Sequence, residues 1–292
     1  MQADRSVVLT GIIWLASYPK SGNTWLRAFL ANLLHGGAQP LQINELPKFV
    51  LGDNFLMHWA ELAGKPESEL SDADIRHLRP KVHLWFAQAW APKDVFVKTH
   101  NALLRIDDQP LITPQATAGA IYVVRNPLDV AVSFAHHYQT SYDLAVEGLC
   151  NPEYFLPPSG GQTTQYLSDW TRHYRSWTRA PGLTVHVMRY EDMRRDPQKT
   201  FGKLVKFLGL PRDSAGLKRA VRHASFRELS RQEQQRSFVE ARPDGSVPFF
   251  RKGQAGGWRE ELTQAQVDKL VDTHGDLMRE LGYLRNDGSI AV

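Results

Sequence analysis

The residues best suited to chemistry fall in a few short stretches. SYPKSGNTW (residues 17–25) offers Lys20 beside Ser21, Gly22, Asn23 and Thr24. DVFVKTH (94–100) ends in Lys98 and His100, and RNPLDVAVS (125–133) supplies Arg125 and Ser133. FFRKGQAGGW (249–258) carries Arg251 and Lys252 next to Gly253. Lysine gives a compact positive charge, a guanidinium grips phosphate in fork geometry, and imidazole takes a proton near neutral pH. Together these side chains suit an anionic ligand and a proton transfer. A single cysteine, Cys150, excludes an intramolecular disulfide and any multi-Cys zinc site. His136 and His137 are adjacent, so they project in different directions and lack the i, i+4 spacing of helical metal ligands.

The elements that must position these residues follow from the hydrophobic pattern. Residues 12–16 are an apolar run, as in a buried parallel strand. Residues 17–23 form a polar turn with Pro19 and Gly22. From Thr24 the spacing becomes helical, with Leu26, Phe29, Leu30 and Leu33 on one face. A tight loop feeding a helix N-terminus is an anion site, because backbone N–H groups and the helix dipole both point there. The loop is not a Walker A sequence, since Lys20 precedes Gly22 and no Gly-Lys-Ser/Thr follows.

In residues 94–100, Val95 and Val97 face one way while Phe96, Lys98 and His100 face the other. This strand ends in Lys where a Walker B strand would end in Asp, which argues against a magnesium-dependent nucleotide hydrolase. Residues 120–124 and 183–189 read as a third and fourth strand. Asn126 is a candidate N-cap with Pro127 in the first helical turn, Arg125 sits at the junction and Ser133 lies about two turns along.

Helices are expected over residues 71–90, 165–178, about 200–208, 214–223 and 263–281. Ser71 and Asp74 suit a capping box, and Pro80 should kink or interrupt the first of these. Residues 36–60 read as an irregular connection with a short helix near its end. Residues 151–164 and 236–257 read as long loops.

The chain has 292 residues, 42% of them hydrophobic, with a formal net charge of +4. That composition indicates a globular α/β protein, and the dispersed basic residues suit an anionic ligand without indicating nucleic acid. The apolar run over residues 7–16 is too short to span a bilayer and serves better as the first strand than as a signal peptide. The expectation is one domain over residues 1–292 in the cytoplasm, with no nucleic-acid or membrane partner.

SYPKSGNTW resembles the 5′-phosphosulfate loop of the sulfotransferases, which use 3′-phosphoadenosine 5′-phosphosulfate (PAPS) as sulfuryl donor. VKTH (97–100) matches the strand whose histidine is that family's catalytic base. RNPLDVAVS looks like its 3′-phosphate motif, YEDM (190–193) like its adenine-contacting segment, and RKGQAGGW (251–258) like its C-terminal signature. The resemblance spans residues 12 to about 258 and is to the cytosolic-type domain in a bacterial-like form. It implies a P-loop kinase-like fold with a central, mostly parallel sheet flanked by helices. It also implies PAPS as co-substrate, adenosine 3′,5′-bisphosphate (PAP) as product, and no metal. Lys20, Lys98 and His100 would be catalytic. Lys20, Ser21, Gly22, Asn23, Thr24, Trp25, Arg125, Ser133, Tyr190, Ser225, Phe226, Arg251, Lys252 and Gly253 would hold the donor. Ser225 and Phe226 read equally well as a helix N-cap followed by a packing residue. Gly257 departs from the family pattern, which commonly has Asp there. The short dimerisation motif of many cytosolic members is not recognisable.

Aromatic density over Phe49, Phe55, Trp59, Trp85, Phe86, Trp90, Tyr138, Tyr142 and Phe155 suggests an apolar pocket for a small aromatic or amphipathic acceptor. The same side chains also suit core packing. Two other function classes fit parts of the sequence: a P-loop-like small-molecule kinase, and a non-catalytic protein that binds adenosine bisphosphate or an anionic polymer.

Overall fold

A computed structural model describes residues 11–211, 213–241 and 248–291. Residues 7–10 of the first apolar run lie outside them. The chain opens with strand β1 (Ile12–Ser17), which runs through the loop into helix α1 (Asn23–His35). A 3-10 turn (Ile43–Lys48) and a short strand β2 (Val50–Gly52) follow, then α2 (Leu56–Ala63) and α3 (Asp72–Trp90). Strand β3 (Val95–Thr99) leads to the small hairpin β4 (Arg105–Ile106) and β5 (Gln109–Pro110). Strand β6 (Thr117–Val124) precedes α4 (Pro127–Tyr138) and α5 (Tyr142–Cys150). A second hairpin, β7 (Phe155–Leu156) with β8 (Gln165–Tyr166), precedes α6 (Trp170–Thr178). Strand β9 (Val185–Arg189) runs into α7 (Tyr190–Arg195), α8 (Pro197–Phe207), α9 (Ser214–His223) and α10 (Phe226–Arg236). Helix α11 (Gln264–Glu280) closes the fold.

Five strands form one parallel sheet in the order β2-β3-β1-β6-β9. Period-two alternation divides their side chains between two cores. Ile12, Trp14 and Ala16 of β1, Val95 and Val97 of β3, and Ala120, Tyr122 and Val124 of β6 enter one core. There they meet Trp59, Phe86, Phe134, Trp170, Trp177 and Met278 from the helices. Leu15, Phe96, Ile121 and Val123 enter the other, against Leu26, Phe29 and Leu30 of α1 and Phe201 and Leu204 of α8. Helices thus cover both sheet faces, an α/β architecture of three layers.

Four departures from the sequence reading have physical reasons. Residues 36–60 contain the edge strand β2, too short at three residues to carry a period. Helix α5 follows α4 after a brief turn and is capped by the Ser141 side chain. Residues 165–168 are not helical: Gln165 and Tyr166 pair with Leu156 and Phe155, and α6 starts after its N-cap, Asp169. Pro80 lies inside α3 without ending it, while the Ser71–Asp74 capping box forms at its start.

Several buried imidazoles link this packing to pH. His83, His173 and His274 are enclosed and His100 is partly buried, and burial lowers the pKa of each, to about 4 for His173 and His274. Such rings bind a proton near pH 6.5 in the unfolded chain but resist it in the fold. The unfolded state is then the better proton binder below about pH 6.5, so stability is complete above that pH and falls as pH drops towards 4. The melting temperature should decline steadily from pH 6.5 to 4.5, and His274→Gln should lessen the slope. A melting temperature flat across that range would contradict the enclosure of these rings.

Candidate active site

Sheet register brings the chemistry together. In the β1–β3 pair Leu15 lies beside Lys98 and Ala16 beside Thr99. One step on, Ser17 meets His100: the imidazole Nδ1 is 2.8 Å from the Ser17 carbonyl and 3.3 Å from its hydroxyl. A carbonyl only accepts, so Nδ1 carries the proton and Nε2 is left as the proton-accepting nitrogen. Burial, then the Lys98 charge, hold the His100 pKa well below its ordinary value, against the Ser17 contact. The ring is therefore neutral at physiological pH.

The loop between β1 and α1 is built for an anion. Gly22 adopts φ 107° as the helix N-cap, no side chain caps this terminus, and Lys20 is itself left-handed at φ 66°. The Asn23 amide donates to the Leu15 carbonyl at 2.8 Å, tying the loop back to its strand. Thr24 accepts from Arg27 at 2.9 Å. Ser21 is fully buried with an unpartnered hydroxyl.

A cavity of about 610 Å³ opens here. It is lined by Lys20, Gly22, Asn23, Thr24, Trp25, Lys98, His100, Arg125, Ser133, Tyr190, Phe226, Arg251, Lys252 and Gly253. Ser21 and Ser225 do not line it. Ser225 is the N-cap of α10, its hydroxyl accepting from the Glu228 backbone N–H. The Arg125 guanidinium stacks 4.5 Å from the Tyr190 ring centre and donates to the Lys20 and Gln254 carbonyls. Trp25 meets Tyr190 edge to face at 5.9 Å. The buried Arg125 Nε and Trp25 Nε1 have no partner, leaving donors for a polar ligand.

The structure adds residues that sequence reasoning missed. Arg27 makes a bidentate pair with Glu240 at 2.6 Å for each contact. Burial raises the Glu240 carboxyl, but Arg27, then Lys98 and Lys20, bring it down to about 2. Burial lowers Lys98 and takes Lys20, whose ammonium lies 3.8 Å from the Phe249 ring centre, down to about 7. Arg251 and Lys252 both reach Glu261 at 3.1 Å. Asp129 accepts from the backbone N–H groups of Gly256 and Trp258, at 2.8 and 3.3 Å. A carboxylate from α4 thus orders the turn in which Gly257 stands. Arg27 had a legible signal, since it lies one helical turn after Thr24. Glu240 and Glu261 had none, because their partners are distant in sequence.

Most of the aromatic side chains weighed for the acceptor pocket lie elsewhere. Only Phe55 and Tyr138 of that set line the cavity. Trp59 and Phe86 are fully buried in the core, with Trp85 packed against it. Phe49 packs on His35, and Tyr142 bonds to His136 and Glu261. Trp90 and Phe155 are exposed. Other apolar wall residues include Val132, Leu156, Pro157, Leu229, Phe249 and Phe250, and Gln162 and Gln165 also line the cavity.

The sulfotransferase domain profile matches residues 11–282. The chain belongs to the sulfotransferase domain family. Sulfotransferase 1B1 of Mus musculus is 28% identical over 275 residues, 89% of this chain and 80% of its own. Cytosolic sulfotransferase 10 of Arabidopsis thaliana is 27% identical, over 88% of this chain and 75% of its own. Such animal and plant relatives give no ground for the narrower bacterial-like label. Among solved structures, mouse sulfotransferase SULT7A1, complexed with PAP, superposes with a TM-score of 0.59 at 22% identity, over 94% of this chain and 86% of that one. Retinol dehydratase, in complex with androsterone and PAP, gives 0.62 at 19% identity, over 92% and 81%. The sulfotransferase fold is common to all of them.

Gly22 offers a local test of this sulfotransferase loop. A Cβ there would lie 2.7 Å from the Tyr190 ring, on a backbone that L side chains rarely adopt. Gly22→Ala should cost about 1–3 kcal/mol in denaturant unfolding. Gly257→Ala has open space around its Cβ and should stay within about 0.5 kcal/mol. Equal costs for the two variants would contradict the loop geometry.

Proposed function

We propose that this protein transfers the sulfuryl group of PAPS to a hydroxyl or amine of a small aromatic or amphipathic acceptor. The observation that carries the reading is that Lys20, Lys98 and His100, whose Nε2 is free to accept, belong to one cavity lined by both cations and apolar side chains. Arg125, Ser133 and the Arg251–Gly253 segment are assigned to the 3′-phosphate. Trp25, Tyr190 and Phe226 are assigned to adenine, and the N-terminus of α1 to the 5′-phosphosulfate. The acceptor oxygen attacks sulfur while the bond from sulfur to the 5′-phosphate oxygen breaks, releasing PAP. His100 Nε2 takes the acceptor proton. Lys20 meets the charge that develops on the departing phosphate oxygen, and Lys98 meets the sulfuryl oxygens. With two cations at the reacting centre, no metal enters the proposal.

Phe55, Val132, Tyr138 and Leu156 support a small, partly apolar acceptor. The androsterone and retinol complexes of retinol dehydratase point the same way. A kinase would need an acidic metal ligand near the end of β3, where Lys98 and His100 stand instead.

PAP should raise the melting temperature, because it binds only the folded state. Adenosine 5′-monophosphate, lacking the 3′-phosphate, should do much less, and equal shifts would sink the donor assignment. In a mass-shift screen with PAPS, small phenols and alcohols should be sulfated. Turnover confined to glycans would overturn the acceptor class alone.

A further inference from the structure

We propose that His173 is a positioning residue for the proton acceptor His100, an inference that rests on the sulfuryl-transfer reading. His173 lies on α6 and opens no face to solvent, with the Tyr18 ring of the anion loop 5.4 Å away. Its Nε2 lies 3.0 Å from the backbone carbonyl of His100. Because a carbonyl only accepts, Nε2 carries the proton. Nδ1 then accepts from the Tyr122 hydroxyl at 2.7 Å, a donor rooted in the central strand β6. Burial keeps His173 neutral, as this double role requires.

The bond matters because His100 lies one residue beyond the last ladder residue of β3, where the sheet no longer fixes the backbone. Its peptide neighbours are held by side chains instead. Asn101 donates to Asp53 at 3.1 Å, and its carbonyl accepts from the Trp177 indole at 3.1 Å. Thr99 donates to Asp53 at 2.8 Å. His173 anchors the carbonyl of His100 itself, while Ser17 anchors the ring. A ring hung from a fixed peptide and tied at Nδ1 keeps Nε2 in one place and in one protonation state. Without the His173 contact, the peptide at residue 100 can rotate, the Ser17 bond loosens and Nε2 is no longer held at one point.

The first test uses the wild-type protein. Long-range ¹⁵N–¹H spectra of histidine-labelled enzyme should show Nε2–H on His173 and Nδ1–H on His100. A His173 ring protonated on Nδ1 would overturn the proposal, whatever the protein's activity. The second test uses variants. His173→Phe combined with Tyr122→Phe removes the contact without leaving the tyrosine hydroxyl unpartnered. It should reduce kcat by about 10–100-fold, within the range a positioned general base supplies. Its affinity for PAP should stay within about threefold of wild type. His173→Gln, whose amide can still donate, should recover most of the loss in kcat. A double variant that binds PAP and turns over within threefold of wild type would overturn the proposal. So would a loss of kcat that His173→Gln does not recover. Should PAP not bind the wild type either, the donor reading falls, while the spectra still decide the His173 contact.

Discussion

The hydrogen bond from His100 Nδ1 to the Ser17 carbonyl joins the two halves of the site. It spans the ends of two neighbouring parallel strands, one feeding the anion loop and the other carrying Lys98. Parallel pairing sets the register, so the loop and the base are parts of one rigid sheet edge. That edge is where open α/β sheets bind ligands. The same bond selects the imidazole tautomer, while burial and the Lys98 charge keep the ring neutral.

A field of cations is the second constraint. Lys20, Lys98, Arg27 and Arg125 surround the cavity, and burial opposes the charge on each lysine. Glu240 offsets part of this cost through Arg27 and through its influence on both lysines. Glu261 pairs with Arg251 and Lys252, which also line the cavity. Arg27, Arg251 and Lys252 are therefore held in place by carboxylates of the chain itself, a preorganisation that suits a ligand rich in negative charge.

Much of this was legible before the fold. The strand, loop and helix around Lys20 announce themselves through a change of hydrophobic period, and Lys98 and His100, singled out in residues 94–100, both line the cavity. Ser71 and Asn126 serve as the helix caps expected of them, because capping is a local interaction. Contacts that close only in three dimensions were not legible. Strand β2 exists because β3 offers it an edge. Trp59 and Phe86 look like pocket residues in sequence and are core, since an aromatic side chain reads the same in either place. Asp53, His173 and Glu240 act on residues 46 or more positions away, and no local pattern records such pairings.

The central claim is that His100 moves the acceptor proton while other residues hold the donor. The most direct measurement pairs the turnover of His100→Ala with its affinity for PAP. The account predicts that kcat falls by about 10²–10⁴-fold and that PAP affinity is nearly unchanged. A His100→Ala enzyme with near-normal turnover on a hydroxyl acceptor would contradict it.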